Sequence, residues 1–533
     1  MTNPSTMQAR AIVDALLRCG IDEVALAPGS RNGPLSIALA QAAAQNRIRL
    51  HVRLDERSAS FLALGIARVT GTCVAVLCTS GTAAAHFHAV AFEATEAGVP
   101  LLLLTADRPA EVRGMGANQT IDQREMFGPA VLKSFDAPLA TTQPASQWRT
   151  LISDAVAVAM GNATVQPGAV HVNLPFAEPL VPGDGDVTWT AGLPDVVQRP
   201  RIEVPRASWS KVWPAGGATP RGIVITSDPA QDADVLTFAR ALQWPVLAEP
   251  GSGCRVHDVA IVDYMHRVGD SALTPDLVMT VGRFALSRPV AALVKSAKRH
   301  VAVGRAHCDP FQTADLQIPR LPDVSKLQAT DAAWLAAWRT PSARDAETLS
   351  SSHQWVAQAL TAVQQGDIVW YGPSSTIRYA ERVAPAFDDV VISRMNRGTN
   401  GIDGVVSSAI GASLAQSRRV PEAHGLAIMG DLTFLHDING LLIEPGSPVP
   451  NLSIVVLDSN GGRIFKTLEQ GAPEYADVFE RVYATPHNRD LVAIARGYDV
   501  RAVRVATHDA LDGELAQARR EGGITVIVVD DRG

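Results

Sequence analysis

The chain has few of the features that mark secreted, membrane-spanning or nucleic-acid-binding proteins. Its 533 residues include only five cysteines, scattered and without a CxxC pair, so we predict neither a disulfide framework nor a zinc site. The N-terminus lacks the basic start and apolar run of a signal peptide, and apolar runs such as 99–104 are too short to span a bilayer. A net charge of −7 gives no global attraction for nucleic acid or an anionic membrane. These absences favour a cytoplasmic protein, in which any affinity for anions comes from arginines gathered at one site.

What is present is the composition of a globular protein, with 47% hydrophobic and 19% charged residues. The chain is too long for one hydrophobic core, and its length predicts about three domains. Short apolar strands alternate with amphipathic helices, which predicts an α/β fold with mainly parallel sheets. Proline-rich breaks run from 181 to 221 and from 319 to 341, so we predict domains at 1–182, 183–345 and 346–533. Ligand sites are expected at the carboxyl edges of the three sheets.

The predicted strands are short apolar segments that occur in all three domains. In the first domain they are 24–27, 49–52, 74–78, 101–105 and 169–174. In the central domain they are 222–226, 244–247, 277–281 and 299–303, and in the third they are 368–371, 427–429, 452–457 and 525–529. Helices are predicted at 58–69, 82–97 and 355–363, among others.

The most informative segment is Gly430-Asp431-Leu432-Thr433, which directly follows a predicted strand. A second polar cluster, Asp458-Ser459-Asn460-Gly461-Gly462, follows the next predicted strand, so both clusters are expected at one sheet edge. A carboxylate, a short polar side chain and a glycine carbonyl form an all-oxygen set suited to magnesium, which in turn binds a diphosphate. Neighbouring glycines let the backbone approach such a group closely.

This pair of clusters resembles the fingerprint of thiamine-diphosphate enzymes, in which Gly-Asp-Gly is followed downstream by Asn-Asn. The resemblance implies that Asp431 and the carbonyl of Gly461 are ligands of Mg²⁺ or Mn²⁺. The chain departs from the fingerprint twice, because Leu432 replaces the third glycine and Asp458-Ser459 replaces Asn-Asn. The second side-chain ligand is therefore left open between Ser459 and Asp458.

A second constellation, Leu54-Asp55-Glu56-Arg57, lies between a predicted strand and a predicted helix. An acidic residue at such a junction is commonly a helix cap or a solvated charge. In thiamine enzymes, however, a largely buried carboxylic acid protonates a ring nitrogen of the aminopyrimidine, so that the opposite amino group removes the thiazolium C2 proton. The helix segment Ala63-Leu64-Gly65-Ile66-Ala67-Arg68 resembles that of the family's pyrimidine-binding domain. The resemblance implies that Glu56 is the catalytic acid–base residue.

Four arginines lie on loops expected at sheet edges: Arg31, Arg108, Arg378 and Arg397. A single surface arginine is usually solvated or paired with an acid. Several at one edge suggest recognition of carboxylates, which the guanidinium fork fits well.

The contexts of these residues narrow the resemblance to one family. Ala-Pro-Gly-Ser-Arg-Asn (27–32), Gly-Ala-Asn-Gln (116–119), Asn-Arg-Gly-x-x-Gly-Ile-Asp-Gly (396–404) and Asn-Gly-Gly-Arg-Ile-Phe (460–465) resemble the motifs of 2-succinyl-5-enolpyruvyl-6-hydroxy-3-cyclohexene-1-carboxylate (SEPHCHC) synthases of menaquinone biosynthesis. The resemblance covers nearly the whole chain and is weakest in the middle. It implies a transferase that decarboxylates 2-oxoglutarate with thiamine diphosphate and adds the resulting succinyl carbanion to isochorismate.

The same resemblance implies two sets of binding residues. The cofactor would be contacted by Glu56, Ser80, Gly81, Ile402, Gly430, Asp431, Leu432, Asn460 and Ile464, with Ile402 as the apolar prop beneath its bent conformation. The substrates would be contacted by Ser30, Arg31, Arg108, Asn118, Gln119, Arg288, Ser374, Arg378, Arg397, Phe465 and Leu468. Arg288 stands near the place where some members have a lysine.

The resemblance further implies that the cofactor lies between two chains, with Glu56 of one facing Asp431 of the other, so that the enzyme is a homodimer or a dimer of dimers. Two alternatives stay open. One is another thiamine carboligase, such as an acetohydroxyacid synthase, which usually carries flavin in its middle domain. The other is a non-catalytic α/β binding protein, although the sequence has no GxGxxG after a strand and no Walker loop.

Overall fold

The computed structural model describes residues 3–140, 145–183, 194, 202–227, 232–283, 287–306, 308–340, 349–387 and 391–532. Its strands form three parallel sheets, each accompanied by helices, which confirms the predicted fold class. The domain limits at 182/183 and 345/346 remain predictions, and the second of them lies outside the described residues. Within the described ranges, no helix is both long enough and apolar enough to cross a bilayer.

The first sheet contains six parallel strands in the order β2-β1-β3-β4-β6-β5. They are β1 (Glu23–Leu26), β2 (Arg49–Val52), β3 (Val74–Cys78), β4 (Leu101–Asp107), β5 (Lys133–Asp136) and β6 (Ala169–Pro175). The helices of this unit are α1 (Pro4–Arg18), α2 (Gly33–Ala44), α3 (Glu56–Thr70), α4 (Thr82–Ala85), α5 (His88–Ala97) and α6 (Ser146–Ala159). Val24 and Leu26 belong to one hydrophobic core, and Ala25 and Ala27 to another, as expected for a strand buried on both faces.

One prediction for this unit was wrong, because the helix expected at 82–97 is two helices. The amides of His86 and Phe87 bond to residues three positions earlier, which tightens the chain into a turn between α4 and α5. All five predicted strands are observed, whereas β5 was not predicted.

The central sheet contains five parallel strands in the order β11-β10-β9-β7-β8. They are β7 (Gly222–Thr226), β8 (Val246–Ala248), β9 (Leu277–Val281), β10 (Arg299–Val303) and β11 (Leu316–Ile318). The helices are α7 (Trp209–Val212), α8 (Asp232–Leu242), α9 (Tyr264–Arg267), α10 (Arg288–Ser296) and α11 (Ala332–Arg339). This unit has hydrophobic cores of its own on the two faces of its sheet.

The third sheet contains six parallel strands in the order β13-β12-β14-β15-β17-β16. They are β12 (Ile368–Tyr371), β13 (Ile392–Met395), β14 (Gly425–Gly430), β15 (Leu452–Asp458), β16 (Arg501–Val505) and β17 (Ile524–Asp530). The helices are α12 (Ser351–Thr361), α13 (Ser375–Val383), α14 (Val405–Arg419), α15 (Asp431–His436), α16 (Ala476–Phe479), α17 (Leu491–Arg496) and α18 (His508–Glu521). The four predicted strands are observed, whereas β13 and β16 were not predicted.

Helices α3 and α14 join the first and third units. A Cβ atom on Gly65 would lie 2.1 Å from the carbonyl oxygen of Ser408, and one on Gly411 would lie 2.1 Å from that of Leu62. The two helices therefore reach this separation only because both positions are glycine. Around the crossing, side chains of both units form one continuous hydrophobic core. The first turn of α3, where Glu56 lies, is thereby fixed against the third unit of its own chain.

Candidate active site

A cavity opens at the carboxyl edge of the third sheet and is lined by the predicted metal motif. Of the residues that the sequence assigned to cofactor, metal or substrate, its walls contain Ser374, Ile402, Gly430, Asp431, Leu432, Ser459, Gly461, Ile464 and Phe465. They also contain Arg463 and Asp531, which sequence reasoning did not single out. No described residue of the first unit lines this cavity.

Three oxygen atoms converge at the cavity wall. The Ser459 hydroxyl lies 3.4 Å from Asp431 Oδ2 and 3.0 Å from the carbonyl oxygen of Gly461. Neighbouring oxygen ligands of an octahedral Mg²⁺ are about 3 Å apart, since each metal–oxygen bond is about 2.1 Å. The donor set is entirely oxygen, as a hard divalent cation requires. These residues fit the metal that the sequence motif implies.

The backbone conformation of this loop depends on Gly461. Its φ is +139°, and a Cβ atom there would lie 2.2 Å from the carbonyl oxygen of Ala484. A Cβ atom on Gly430 would instead meet no atom within 4 Å, because that residue faces open space. Gly461 is therefore required by the loop, and the space beside Gly430 leaves room for a bound group.

Asp431 is buried and begins α15. Its Oδ1 accepts the amide of Leu432 at 2.6 Å, and its Oδ2 accepts the amide of Gly461 at 2.9 Å. Burial raises the pKa of Asp431 above its ordinary value, while these two amide donors oppose the rise. A divalent cation at this position would supply the opposite charge that the carboxylate lacks in a buried place.

Asp458, the other candidate for the second side-chain ligand, has different partners. Its Oδ2 accepts a hydrogen bond from Arg532 at 2.8 Å and one from Arg504 at 3.0 Å. Burial alone would raise the pKa of Asp458, but the two guanidinium groups lower it overall. The carboxylate that replaces an uncharged asparagine is thus neutralised by arginines, and Asp458 does not line the cavity.

His487 was missed by sequence reasoning, because nothing in its local sequence distinguishes it from a surface histidine. Its Nε2 lies 3.4 Å from Asp431 Oδ2 and 3.7 Å from Asp458 Oδ1, and the three side chains form a cluster of potential metal ligands. The backbone amide of Arg489 donates to its Nδ1 at 3.0 Å. Nε2 is then the ring nitrogen that carries the proton, so His487 faces Asp431 as a hydrogen-bond donor.

Glu56 lies at the carboxyl edge of the first sheet, in the first turn of α3. Asp55 is the N-cap residue of this helix, since its Oδ1 accepts the amide of Arg57 at 2.8 Å. Capping is therefore the role of Asp55, which leaves Glu56 available for another. Burial raises the pKa of Cys78, at the end of β3, and the charge of Glu56 adds to the rise, so the carboxylate is close to the end of β3. In the single chain Glu56 is half-buried.

Five more predicted residues lie together around the loop after β3. The Ser80 hydroxyl donates to the carbonyl of Gln119 at 3.0 Å, and the Gln119 amide donates back to the carbonyl of Ser80 at 3.0 Å. Gly81 has a φ of +83°, and a Cβ atom there would lie 2.9 Å from the Gln119 side chain. Arg108 Nε donates to the carbonyl of Asn118 at 2.7 Å. Asn118 and Gln119 are exposed.

Arg31 joins the same edge. Its Nη1 donates to the carbonyl of Phe176 at 2.9 Å, while the preceding residue, Ser30, is exposed. Burial lowers the pKa of Arg31, and the nearby charge of Arg108 lowers it further, whereas Glu178 and Asp107 oppose the fall. Arg31 Nη2 lies 3.6 Å from Glu178 Oε1, so one carboxylate is already paired with this arginine. An edge with two guanidinium groups is suited to bind a further carboxylate.

Three further predicted substrate residues, Arg288, Arg378 and Arg397, lie where the central and third units meet. Arg288 and Arg378 line a second cavity together with Lys295 and Phe311. Arg397 is 9% exposed and donates from Nη1 to Asn400 Oδ1 at 2.6 Å. Leu468 is 40% exposed, and Asn460 donates to Asn488 at 2.9 Å; neither lines the first cavity.

Comparison with known proteins agrees with this arrangement. The N-terminal thiamine pyrophosphate binding domain of thiamine pyrophosphate enzymes matches residues 7–126, and their C-terminal thiamine pyrophosphate binding domain matches residues 394–529. Benzoylformate decarboxylase from Polynucleobacter necessarius shares the fold, with a TM-score of 0.69 at 16% identity over 99% of both chains.

Three relatives with higher sequence identity share one name. SEPHCHC synthases are 38% identical in Saccharopolyspora erythraea, over 99% of this chain and 96% of the relative. They are 40% identical in Nocardioides sp., over 98% and 94%, and 40% identical in Thermobifida fusca, over 97% and 99%. The chain therefore belongs to the family of 2-succinyl-5-enolpyruvyl-6-hydroxy-3-cyclohexene-1-carboxylate synthases, within the thiamine pyrophosphate enzymes.

Proposed function

We propose that this enzyme decarboxylates 2-oxoglutarate with thiamine diphosphate and a divalent metal, and transfers the resulting succinyl group to isochorismate to give SEPHCHC. The observation that carries the proposal is the convergence of Asp431, Ser459 and the Gly461 carbonyl in a cavity at the carboxyl edge of the third sheet. Thiamine diphosphate, when bound, supplies the electron sink that decarboxylation of a 2-oxo acid needs.

The metal, Mg²⁺ or Mn²⁺, is held by the carboxylate of Asp431, the hydroxyl of Ser459 and the carbonyl of Gly461. Ser459 is favoured over Asp458 because the Ser459 hydroxyl faces the other two oxygens, whereas Asp458 is paired with Arg504 and Arg532. His487 donates to Asp431 Oδ2 and helps to hold its carboxylate in place. Gly430, Leu432, Asn460 and Ile464 surround the cofactor, and Ile402 supports it.

Glu56 holds and moves a proton at the ring nitrogen of the cofactor's aminopyrimidine, beside Ser80 and Gly81. Asp55 already caps α3, so the carboxylate of Glu56 is not needed for that purpose. Its position near Cys78, at the carboxyl end of β3, supports a role in proton transfer at this edge.

The substrate carboxylates are bound by two groups of residues. One group is Ser30, Arg31, Arg108, Asn118 and Gln119 at the edge of the first sheet. The other is Arg288, Ser374, Arg378 and Arg397, with Phe465 and Leu468 supplying apolar contact. Both substrates carry two carboxylates, which accounts for more guanidinium groups than one anion requires.

The complete site is formed by two copies of the chain. The cavity with Asp431 is lined by the third unit, and the first-unit residues form a separate edge that includes Glu56. Exposed apolar side chains flank both halves: Leu54 is 60% exposed and Met115 77% exposed beside the first, and Val478 and Val482 are about half exposed near the second. Such patches are expected where a partner chain packs.

Mixing two inactive variants tests this arrangement. Glu56→Gln and Asp431→Ala each lose one half of the site, but a mixed dimer regains one intact site. Unfolding and refolding an equimolar mixture should therefore restore about a quarter of wild-type activity, since half of the dimers are mixed and each has one good site of two. No recovery, with mixed dimers verified by mass spectrometry, would place both residues in sites within one chain.

We also propose that the enzyme is cytoplasmic, because all five cysteines are buried and none forms a disulfide, as expected in a reducing compartment. The reaction itself is tested by cofactor-dependent release of carbon dioxide from 2-oxoglutarate, measured with and without isochorismate. SEPHCHC formation is expected only with both substrates. Release of carbon dioxide from pyruvate in preference, by a yellow flavin-containing protein, would instead identify an acetohydroxyacid synthase.

A further inference from the structure

The central unit contacts the third unit through the segment that carries the proposed substrate arginines. Glu249, immediately after β8, is buried, and its Oε2 lies 3.3 Å from Nη2 of Arg397. Further along the same central segment, the Tyr264 hydroxyl donates to Glu381 of α13 at 2.8 Å. Arg255 donates to the carbonyl of Ala384, just after α13. The central unit therefore contacts the third unit both at Arg397 and around the end of α13.

The guanidinium of Arg397 is oriented by two acceptors from different units. Nη1 donates to Asn400 Oδ1 in its own loop, and Nη2 donates to Glu249 across the boundary. Nε is buried and has no hydrogen-bond partner among the described residues. A buried donor without an acceptor is costly, so an arginine held in this way is poised to bind an additional anion.

The positive charge of Arg397 must be balanced by an acidic side chain even when no substrate is bound. Burial lowers the pKa of Arg378, and the charge of Arg397 contributes to the same lowering, so the two guanidinium groups lie near each other. Two like charges in a partly buried place repel, and each then favours a position further from the other. The Glu249 carboxylate, which accepts from Nη2 of Arg397, opposes this displacement and leaves Nε without a partner among the described residues.

We propose that Glu249 is a positioning residue that holds Arg397 in the orientation that binds a substrate carboxylate. This inference rests on the proposed substrate role of Arg397. It gives the central unit, whose strands contribute nothing to the cofactor cavity among the described residues, a direct part in substrate affinity. Glu249 itself touches neither substrate nor cofactor and acts through Arg397.

The test compares steady-state constants of the full-length, cofactor-loaded enzyme. Glu249→Gln keeps an acceptor of the same length but removes the charge, so KM for 2-oxoglutarate should rise about tenfold, as expected for weakening one charge-assisted hydrogen bond. The value of kcat should stay within about twofold, and the affinity for thiamine diphosphate, measured by calorimetry, should not change. Glu249→Asp, which keeps the charge, should recover part of the loss.

A matched control removes a different polar contact across the same boundary. Tyr264→Phe deletes the donor to Glu381 but leaves the Glu249–Arg397 pair intact, so it should change KM by less than about twofold. If Glu249→Gln and Tyr264→Phe raise KM equally, or if Glu249→Gln lowers kcat and cofactor affinity together, Glu249 only stabilises the boundary and the proposal is wrong.

A double-variant cycle separates this proposal from the assignment on which it rests. Arg397→Ala alone should raise KM for 2-oxoglutarate, and adding Glu249→Gln to it should raise KM no further, because the two act through one guanidinium. An unchanged KM for both 2-oxoglutarate and isochorismate in Arg397→Ala would overturn the substrate role of Arg397. A raised KM in Arg397→Ala, with a normal KM in Glu249→Gln, would overturn the positioning role alone.

Discussion

The first and third sheets have the same strand order, yet the residues at matched positions of their carboxyl edges differ. Ser80 and Gly81 lie in the loop after β3, whereas the corresponding strand β14 ends at Gly430 and is followed by Asp431. Arg108 follows β4, whereas its counterpart β15 ends at Asp458 and is followed by Ser459. At these two positions the first edge carries a hydroxyl group and a guanidinium group, and the third edge carries two carboxylates and a hydroxyl group. The fold therefore determines where functional residues lie, whereas the side chains at matched positions determine what is bound.

The acid position shows the contrast most sharply. Glu56 lies four residues after the end of β2, and the residue four positions after the end of β13 is Thr399. In the proposed site the proton-carrying carboxylate, Glu56, therefore lies at the first edge, whereas Asp431 at the third edge binds the cation. Four experiments test this division, in order of decreasing expected effect.

Glu56→Gln should give the largest effect. Glutamine keeps the size and a hydrogen-bonding end but cannot exchange a proton with the pyrimidine nitrogen, so activation of the cofactor should slow by roughly two to four orders of magnitude. Cofactor affinity should stay near normal, because the third edge holds the diphosphate. The measurement is exchange of the cofactor's C2 proton with deuterated solvent, quenched and read by NMR. Wild-type exchange in the variant would show that Glu56 has no part in proton transfer.

Asp431→Ala should, in contrast to Glu56→Gln, mainly weaken cofactor binding. The variant loses a charged metal ligand, so the affinity for thiamine diphosphate in the presence of Mg²⁺ should fall by at least about a hundredfold. Loss of a residue that only hydrogen-bonds to a metal ligand would lower the affinity less. Calorimetry measures this, and Glu56→Gln is the matched control from the other edge. Equal cofactor affinity in the two variants would remove the distinction between a proton edge and a metal edge.

Buried histidines allow a comparison of stability in the two sheets. His171 in β6 bonds to Thr105 at 2.8 Å, and His424, just before β14, bonds to Ser453 at 2.9 Å. Burial lowers the pKa of each to about 4. Since the unfolded value is about 6.5, their stabilising effect is complete above pH 6.5 and is lost as the pH falls towards 4. At pH 5 each should cost about 2 kcal/mol of stability.

Amide hydrogen exchange read by mass spectrometry localises this effect. Between pH 7.5 and pH 5, after correction for intrinsic exchange, protection should fall in both sheets of the wild type. His171→Gln should flatten the pH dependence of β6 and its neighbours, and His424→Gln that of β14 and β15. A change in both sheets from either variant alone would mean that the two units do not open separately.

The smallest effect is expected at the second metal ligand. Ser459→Asn restores the amide of the thiamine fingerprint and should raise Mg²⁺ affinity by up to about tenfold. Asp458→Asn should alter metal affinity less but lower the free energy of unfolding, because Arg504 and Arg532 lose a buried partner. The reverse order in metal titrations would assign the ligand to Asp458.

The sequence predicted every interior strand of the three sheets but only two of the six edge strands, β2 and β8. The four unpredicted strands, β5, β11, β13 and β16, all lie at the end of a sheet. Strands such as Lys133–Asp136 and Arg501–Val505 are partly exposed and carry charged residues, so they lack the continuous apolar run of a strand buried on both faces. Interior strands such as Val74–Cys78 were predicted to the residue because burial on both sides requires that run.

The residues of the candidate site likewise differ in whether the sequence alone could identify them. Asp431 and Gly461 were identifiable because a motif with fixed spacing surrounds them. His487 and Asp531 reach the site from distant loops, and Glu249 reaches Arg397 from another unit. Such contacts depend on how loops and units pack together, which no local pattern in one sequence records. The choice between Ser459 and Asp458 likewise needed the positions of Arg504 and Arg532.

The glycine contact between α3 and α14 constrains how this protein can evolve. A methyl group added at Gly65 or Gly411 would run into the backbone of the facing helix, and a backbone cannot adopt another rotamer to make room. A larger residue at either position would force the two helices apart. That separation would also move the first turn of α3, which bears Glu56, so neither glycine can be replaced without affecting the site. Two residues that line no described pocket should consequently change as slowly across descendants as the residues of the active site itself.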